Sequence, residues 1–304
     1  MEKQTKDLPR FQDDYANLER DLAKEWDSLG IDNDFIFYYV MQDETLLMDL
    51  VQMILPDVPI SRLEIQAQKT VDVGLDIHGV RFDIFAKDQD ERAFTVEMQV
   101  VNRHDLPKRI RYYKSMADTQ MLEKGVSYDE LSESYVIMIC PFDMFDMGLH
   151  LYTFTYRCME DTSIELKDGT KSIILNAAGT ANDVSGSLKA FLDYVAGKMS
   201  EDSYVRRVDM AVELAKMDAA LRRDYIVRRQ NQIVEEKWAR EKGRAEGRAE
   251  GRAEGREEGR EEGLAEGRNE LAQAIRMLKD GKVQDDLILA GISKETIDMA
   301  NTLI

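Results

Sequence analysis

The chain has 304 residues, 43% hydrophobic and 33% charged, with a formal net charge of −18 at pH 7. That length supplies enough apolar surface for one large domain and an appendage without covalent staples. Two cysteines, Cys140 and Cys158, are too few for a disulfide framework, and the acid excess argues against broad adhesion to nucleic acid, which relies on Lys and Arg.

No run approaches the ~20 apolar residues of a membrane helix. The opening MEKQTKDLPR lacks the apolar centre of a secretory signal. A cytoplasmic protein with no membrane partner is expected.

Residues 1–32 read as a polar segment with a peripheral helix over 15–29. Asp34 is placed to cap a helix over 35–55, which Pro56 ends. Phe37, Val40, Leu47, Leu50, Val51 and Ile54 give that helix one broad apolar face, with Asp43, Glu44 and Asp49 near its rim. Residues 63–69 and 71–77 alternate as strands, and His78-Gly79 makes a tight turn after them.

Residues 80–101, VRFDIFAKDQDERAFTVEMQVV, read as two strands about a charged turn over 87–92. On the second strand Phe94, Val96, Met98 and Val100 alternate with Thr95, Glu97 and Gln99, so Glu97 and Gln99 share a face. An antiparallel hairpin brings Asp83 beside them. Two carboxylates and an amide among apolar residues are costly to bury alone. A divalent cation is a fitting partner, since hard metals take carboxylate and carbonyl oxygens.

After a loop over 102–106, Pro107 suits the first turn of a helix that runs to about 124 and stops at Gly125. Ile110, Tyr113, Ala117 and Met121 form its sheet-facing side. Within 103–114 five basic residues, Arg103, Lys108, Arg109, Arg111 and Lys114, meet one acid, Asp105. This local strip can hold a polyanion beside the acids even in an acidic protein. The apolar run 135–140 reads as a buried strand before Pro141. Residues 149–157 and 172–176 form a further strand pair through a turn at 167–170, and 183–197 and 202–232 read as helices.

The tract 243–268 repeats Gly-Arg-Ala-Glu or Gly-Arg-Glu-Glu. It has no apolar stripe, each glycine costs about 1 kcal/mol in a helix, and like charges recur at i+4. A solvated, partly helical spacer is expected, with self-association into a homo-oligomer as the alternative. Residues 271–304 read as two short helices broken at Asp280-Gly281, a small hairpin whose spacing is too generic for a DNA reader. The three histidines, His78, His104 and His150, have no zinc-site spacing. No GxxxxGK[ST] loop occurs, so no nucleotide cofactor is expected.

Asp83 on one strand and Glu97-Met98-Gln99 on the next resemble the signature of the PD-(D/E)XK nuclease superfamily, an acid followed by acid-x-Lys. The chain is most similar to its recombination-promoting nuclease (Rpn) family, also described as PD-(D/E)XK putative transposases, whose members carry Glu-Met-Gln at that place. The resemblance runs through NDFIF (33–37), VMQDE (40–44), DLPKR (105–109), Tyr112-Tyr113, EKG (123–125), SYVI (134–137), YTF (152–154), DGT (168–170) and Leu175-Asn176, about two thirds of the chain.

The resemblance implies an α/β fold with a restriction-endonuclease-like α-β-β-β-α-β core and a mixed central sheet, followed by a helical C-terminal region. The nuclease domain would occupy 33–200, after the segment 1–32. A helical extension (201–242), the repeat spacer (243–270) and the terminal hairpin (271–304) would follow. It further implies a DNA endonuclease dependent on Mg²⁺, or on Mn²⁺ or Ca²⁺, that promotes recombination or mobile-element activity. Asp83, Glu97 and the Met98 carbonyl would be ligands, with Glu44 as an extra acid from the first core helix; a solvated carboxylate is the plainer reading of Glu44. Gln99 stands where the superfamily has lysine and can orient a water without bringing charge. Arg109 is the first choice for the missing cation, with Arg111 and Lys108 as alternatives. Arg103, Lys108, Arg111, Lys114 and Tyr113 would meet DNA. The competing reading is a catalytically silent nuclease fold that binds DNA or a protein.

Overall fold

The computed structural model describes residues 8–66, 70–71, 80–81, 83–122, 125–184 and 186–304. It divides into two units, Met1–Arg229 and Gln230–Ile304.

The first unit begins with α1 (Leu8–Ser28), α2 (Asp34–Val40) and α3 (Glu44–Ile54). The single helix expected over 35–55 is two helices. The Asp43 side chain accepts from the backbone N–H groups of Thr45 (2.9 Å) and Leu46 (3.1 Å) and so starts a new helix. Asn33, not Asp34, caps α2, accepting from Phe35 at 3.1 Å and Ile36 at 3.3 Å.

The strands are β1 (Leu63–Gln66), β2 (Thr70–Val71), β3 (Val80–Arg81), β4 (Ile84–Asp88) and β5 (Ala93–Met98). After them come α4 (Leu106–Met121), β6 (Ser134–Cys140), β7 (Leu151–Phe154) and β8 (Thr170–Asn176). β2 and β3 pair separately; the others form one sheet in the order β1-β4-β5-β6-β8-β7. The turn expected at His78-Gly79, most of the strand over 71–77, and the helix end at 123–124 lie outside the described residues. β1, β4 and β5 form an antiparallel meander, whereas β5, β6 and β8 run parallel and β7 returns antiparallel to β8. Parallel neighbours cannot be joined by a tight turn, and α4 is the crossover between β5 and β6.

Alternation along the strands sorts the side chains into two cores. Ile84, Ala86, Phe94, Val96, Met98, Ile137 and Ile139 face the apolar sides of α2 and α3. Also in that core are residues of α5 (Gly186–Val195) and α6 (Ser203–Met217). On the opposite face Phe85, Val136, Met138 and Ile174 lie with Leu106, Ile110, Tyr113, Met116 and Ala117 of α4. β6 is buried along its whole length, and apolar from Tyr135 to Cys140, because both its faces are covered.

The N-terminal segment is not peripheral. Leu22 and Trp26 of α1 are each 1% exposed, and the Trp26 indole Nε1 donates to the Lys216 carbonyl at 3.1 Å. The helix expected over 202–232 is divided at Asp218, whose carboxylate caps Ala220 (2.7 Å) and Leu221 (3.2 Å) and opens α7 (Ala219–Lys279).

At the end of β8 the chain passes over a buried histidine. His150 Nδ1 lies 2.8 Å from Asp183 Oδ1, and a Cβ added at Gly179 would come within 2.6 Å of the ring. Gly179→Ala is therefore expected to cost about 1–3 kcal/mol. Equilibrium unfolding should show this loss, and His150→Ala in the same chain should relieve part of it.

The boundary of the second unit falls within α7. Residues 234–269 are all exposed, and a Cβ at any repeat glycine from Gly243 to Gly267 would meet nothing within 4 Å. The tract expected as partly helical is helical throughout, since the i→i−4 backbone bonds need no partner outside the helix. Beyond Gly281 (φ +77°) come α8 (Gln284–Leu289) and α9 (Lys294–Thr302). Ala274, Leu287, Ile292, Ile297 and Ala300 form a small core there. The expected pair of helices is thus three segments, because Gly291 (φ +83°) opens a second turn.

Candidate active site

The antiparallel register Ile84↔Val96 places the next residues, Asp83 and Glu97, opposite each other, just beyond the start of β4 and near the end of β5. The Asp83 backbone N–H donates to Glu97 Oε1 at 2.8 Å. The Asp83 carboxylate accepts from the Met98 N–H and is hydrogen-bonded to the Glu97 carboxyl. Glu97 is 3% exposed, and its pKa is pushed well above the usual carboxylate range, by burial first and by Asp83 second. Burial, then the charge of Asp34, pushes Asp83 up to about 6. Two acids held together in this way are short of a positive charge.

A divalent metal fits that deficit. The two carboxylates supply hard oxygens, the Met98 carbonyl lies between Glu97 and Gln99 in sequence, and Mg²⁺ commonly takes only one or two carboxylates. No group of three His, Cys, Asp or Glu residues able to hold a metal occurs among the described residues. Any ion here would rest on the pair, backbone oxygen and water. The helix acid acting most strongly on Asp83 is Asp34, at the start of α2; Glu44 is exposed at the start of α3. Asp34 was legible in the sequence only as a cap, because its approach to Asp83 depends on how α2 lies against β5.

Gln99 follows β5 on the same face, 9% exposed, with its backbone N–H on the Ile139 carbonyl at 2.8 Å. Its Oε1 accepts from Arg109 Nη1, and its Nε2 donates to the Val101 carbonyl. Arg109, in the first turn of α4, also donates through Nη2 to the Tyr113 hydroxyl at 3.0 Å. Burial works against the Arg109 charge, yet Tyr113, Glu97 and Asp105 hold its pKa above the ordinary value. The Tyr113 phenol is pushed up to about 12 by burial and then by Glu97.

The structure thus brings Asp83, Glu97, Gln99, Arg109 and Tyr113 together on the α4 face of the sheet. The remaining basic residues are placed differently. Arg103, Lys108 and Arg111 are exposed. Lys114 is half-buried, donates to Thr170 Oγ1 at 3.0 Å at the start of β8, and has its pKa lowered by burial. Tyr113 is 8% exposed, within the core beneath α4.

Residues 31–185 match the family model described as PD-(D/E)XK nuclease family transposase. Neither a curated protein nor a solved structure gives a significant match. The mixed six-stranded sheet with flanking helices is the restriction-endonuclease-like α/β core of that family, here followed by a helical C-terminal region. With more than half its length matched, the chain belongs to the PD-(D/E)XK nuclease family transposases.

Proposed function

We propose that this protein is a metal-dependent DNA endonuclease that hydrolyses phosphodiester bonds and so promotes recombination or mobile-element activity. One observation carries the reading: half-buried Asp83 and buried Glu97 meet as a hydrogen-bonded acid pair beside Arg109. Asp83, Glu97 and the Met98 carbonyl would hold Mg²⁺, Mn²⁺ or Ca²⁺, with Asp34 rather than Glu44 as the acid behind them. When bound, such an ion lowers the pKa of a water and neutralises charge on the phosphate. Arg109 binds non-bridging phosphate oxygens through N–H donors not engaged by Gln99 and Tyr113, a use that suits its planar fork. Exposed Arg103, Lys108 and Arg111 hold the flanking DNA backbone. Buried Tyr113 supports Arg109 instead of stacking on a base, and Lys114 acts through Thr170.

The test is supercoiled plasmid with the purified protein and Mg²⁺, Mn²⁺, Ca²⁺ or EDTA. Nicked circles with Mg²⁺ or Mn²⁺, and none with EDTA, are expected; intact plasmid under every condition would sink the reading. The second reading, a silent fold that binds DNA or protein, is favoured by Gln99 in the lysine position and by the charge of −18.

The raised acids make metal uptake depend on pH. A carboxyl whose folded pKa is raised stabilises the metal-free fold below its unfolded value and loses that contribution as pH climbs through the folded one. For Asp83 the window runs from 3.8 to about 6. A divalent ion requires both groups ionised, so the rise in Tm with saturating Mg²⁺ should be larger at pH 8 than at pH 5. Equal rises at both pH values would place the ion elsewhere.

Every residue named for this site lies in the first unit, so a chain ending after Ala239 should still nick. A folded, soluble but inactive truncation would show that the tail is needed for the active form.

A further inference from the structure

We infer that Gln99 is a positioning residue: its amide oxygen holds Arg109, and the cation of the site stands on α4 instead of on β5. The inference rests on the nuclease reading for its consequence but not for its geometry. Both ends of the Gln99 amide are engaged, Oε1 by Arg109 Nη1 and Nε2 by the Val101 carbonyl. That orientation is forced, because a guanidinium has only donors and a carbonyl only accepts. A flipped amide would set NH₂ against the guanidinium and oxygen against oxygen.

Arg109 is gripped on its other side as well. Nη2 donates to the Tyr113 hydroxyl, one helical turn on, and the Tyr113 ring is packed into the α4 core. Gln99 and Tyr113 therefore fix the guanidinium plane from two elements, the strand end and the helix. A guanidinium carries five N–H donors, and two are spent on this clamp, leaving the others for a phosphate. The amide oxygen of Gln99 is likewise spent on Arg109, so the residue acts through the arginine and not on the attacking water.

The consequence runs against simple restoration of the superfamily pattern. A lysine at position 99 would bring its ammonium to the place where Arg109 donates, at a site 9% exposed. The ammonium would meet the guanidinium in place of an acceptor, since both groups only donate. Positions 99 and 109 are alternative seats for one charge.

The test is a double-mutant cycle of the full chain: wild type, Gln99→Lys, Arg109→Met, and both together. Two readouts are taken, melting temperature without metal and nicking rate with Mg²⁺. Gln99→Lys should lower Tm by about 5–10 °C and nicking at least about tenfold. Arg109→Met should lower nicking about tenfold or more with a smaller fall in Tm. The double variant should recover most of the Tm lost in Gln99→Lys and nick several-fold faster than either single variant. A Gln99→Lys protein as stable and active as wild type would overturn the inference, as would additive effects in the double variant. If the wild type itself does not nick, the nuclease reading fails, and Tm decides alone: non-additivity supports the clamp and additivity refutes it.

Discussion

Asp83→Ala is expected to reduce metal-dependent nicking by about a thousandfold or more while the protein stays folded. The carboxylate is a ligand in the proposed site, and its burial opposes ionisation rather than adding packing. Its removal takes away the hydrogen-bond acceptor of the Met98 N–H, so Asp83→Asn, which keeps an acceptor, is the matched control. Asn should be equally inactive and at least as stable, because one of two crowded acids has become neutral. Nicking time courses, Tm and calorimetric titration with Mg²⁺ measure the three aspects. An Asp83→Asn protein that nicks like wild type would move the activity to another part of the chain.

Trp26→Ala should produce the largest loss of stability among single changes outside the site, about 3–5 kcal/mol. The indole is 1% exposed, lies 6.0 Å from the Phe35 ring and 5.5 Å from that of Tyr225, and donates to the Lys216 carbonyl. Truncation would leave a cavity between α1, α2 and the start of α7 and an unpaired carbonyl. Denaturant unfolding should show a lower midpoint with little change in slope, and Trp26→Phe should lose less. An unchanged midpoint would mean that α1 is dispensable, although it packs within the first unit and precedes the matched residues 31–185.

The sequence was most informative where local pattern decides position. Alternation through Phe94, Val96 and Met98 against Thr95, Glu97 and Gln99 was sufficient to place both polar side chains on one face, because strand period leaves no other choice. The stripe Ile110, Tyr113 and Ala117 likewise named the buried side of α4. Long-range placement was hidden. Trp26 sits in a run of charged residues whose partners, Lys216 and Tyr225, are far along the chain, so no window contains the reason for its burial. Asp43 looked like a rim residue, and Asp34 instead of Asn33 like the cap, since a polar side chain reads the same in sequence whether it caps a helix or meets water. Lys114 looked like part of the basic strip with Arg109. Five residues along a helix, however, turn a side chain by about 140° and carry it about 7.5 Å down the axis, which brings it to Thr170.

The two kinds of contact also differ in when they can form. Asp83 meets Glu97 across 14 positions, and Arg109 meets Gln99 across 10. The indole of Trp26 waits for a carbonyl 190 positions later. At ~5–20 residues per second, that interval is about 10–40 s of ribosomal synthesis. Through that time the indole has the Phe35 ring to pack against but lacks its carbonyl acceptor and the ring of Tyr225. The acid pair and its arginine, by contrast, can find one another soon after they emerge.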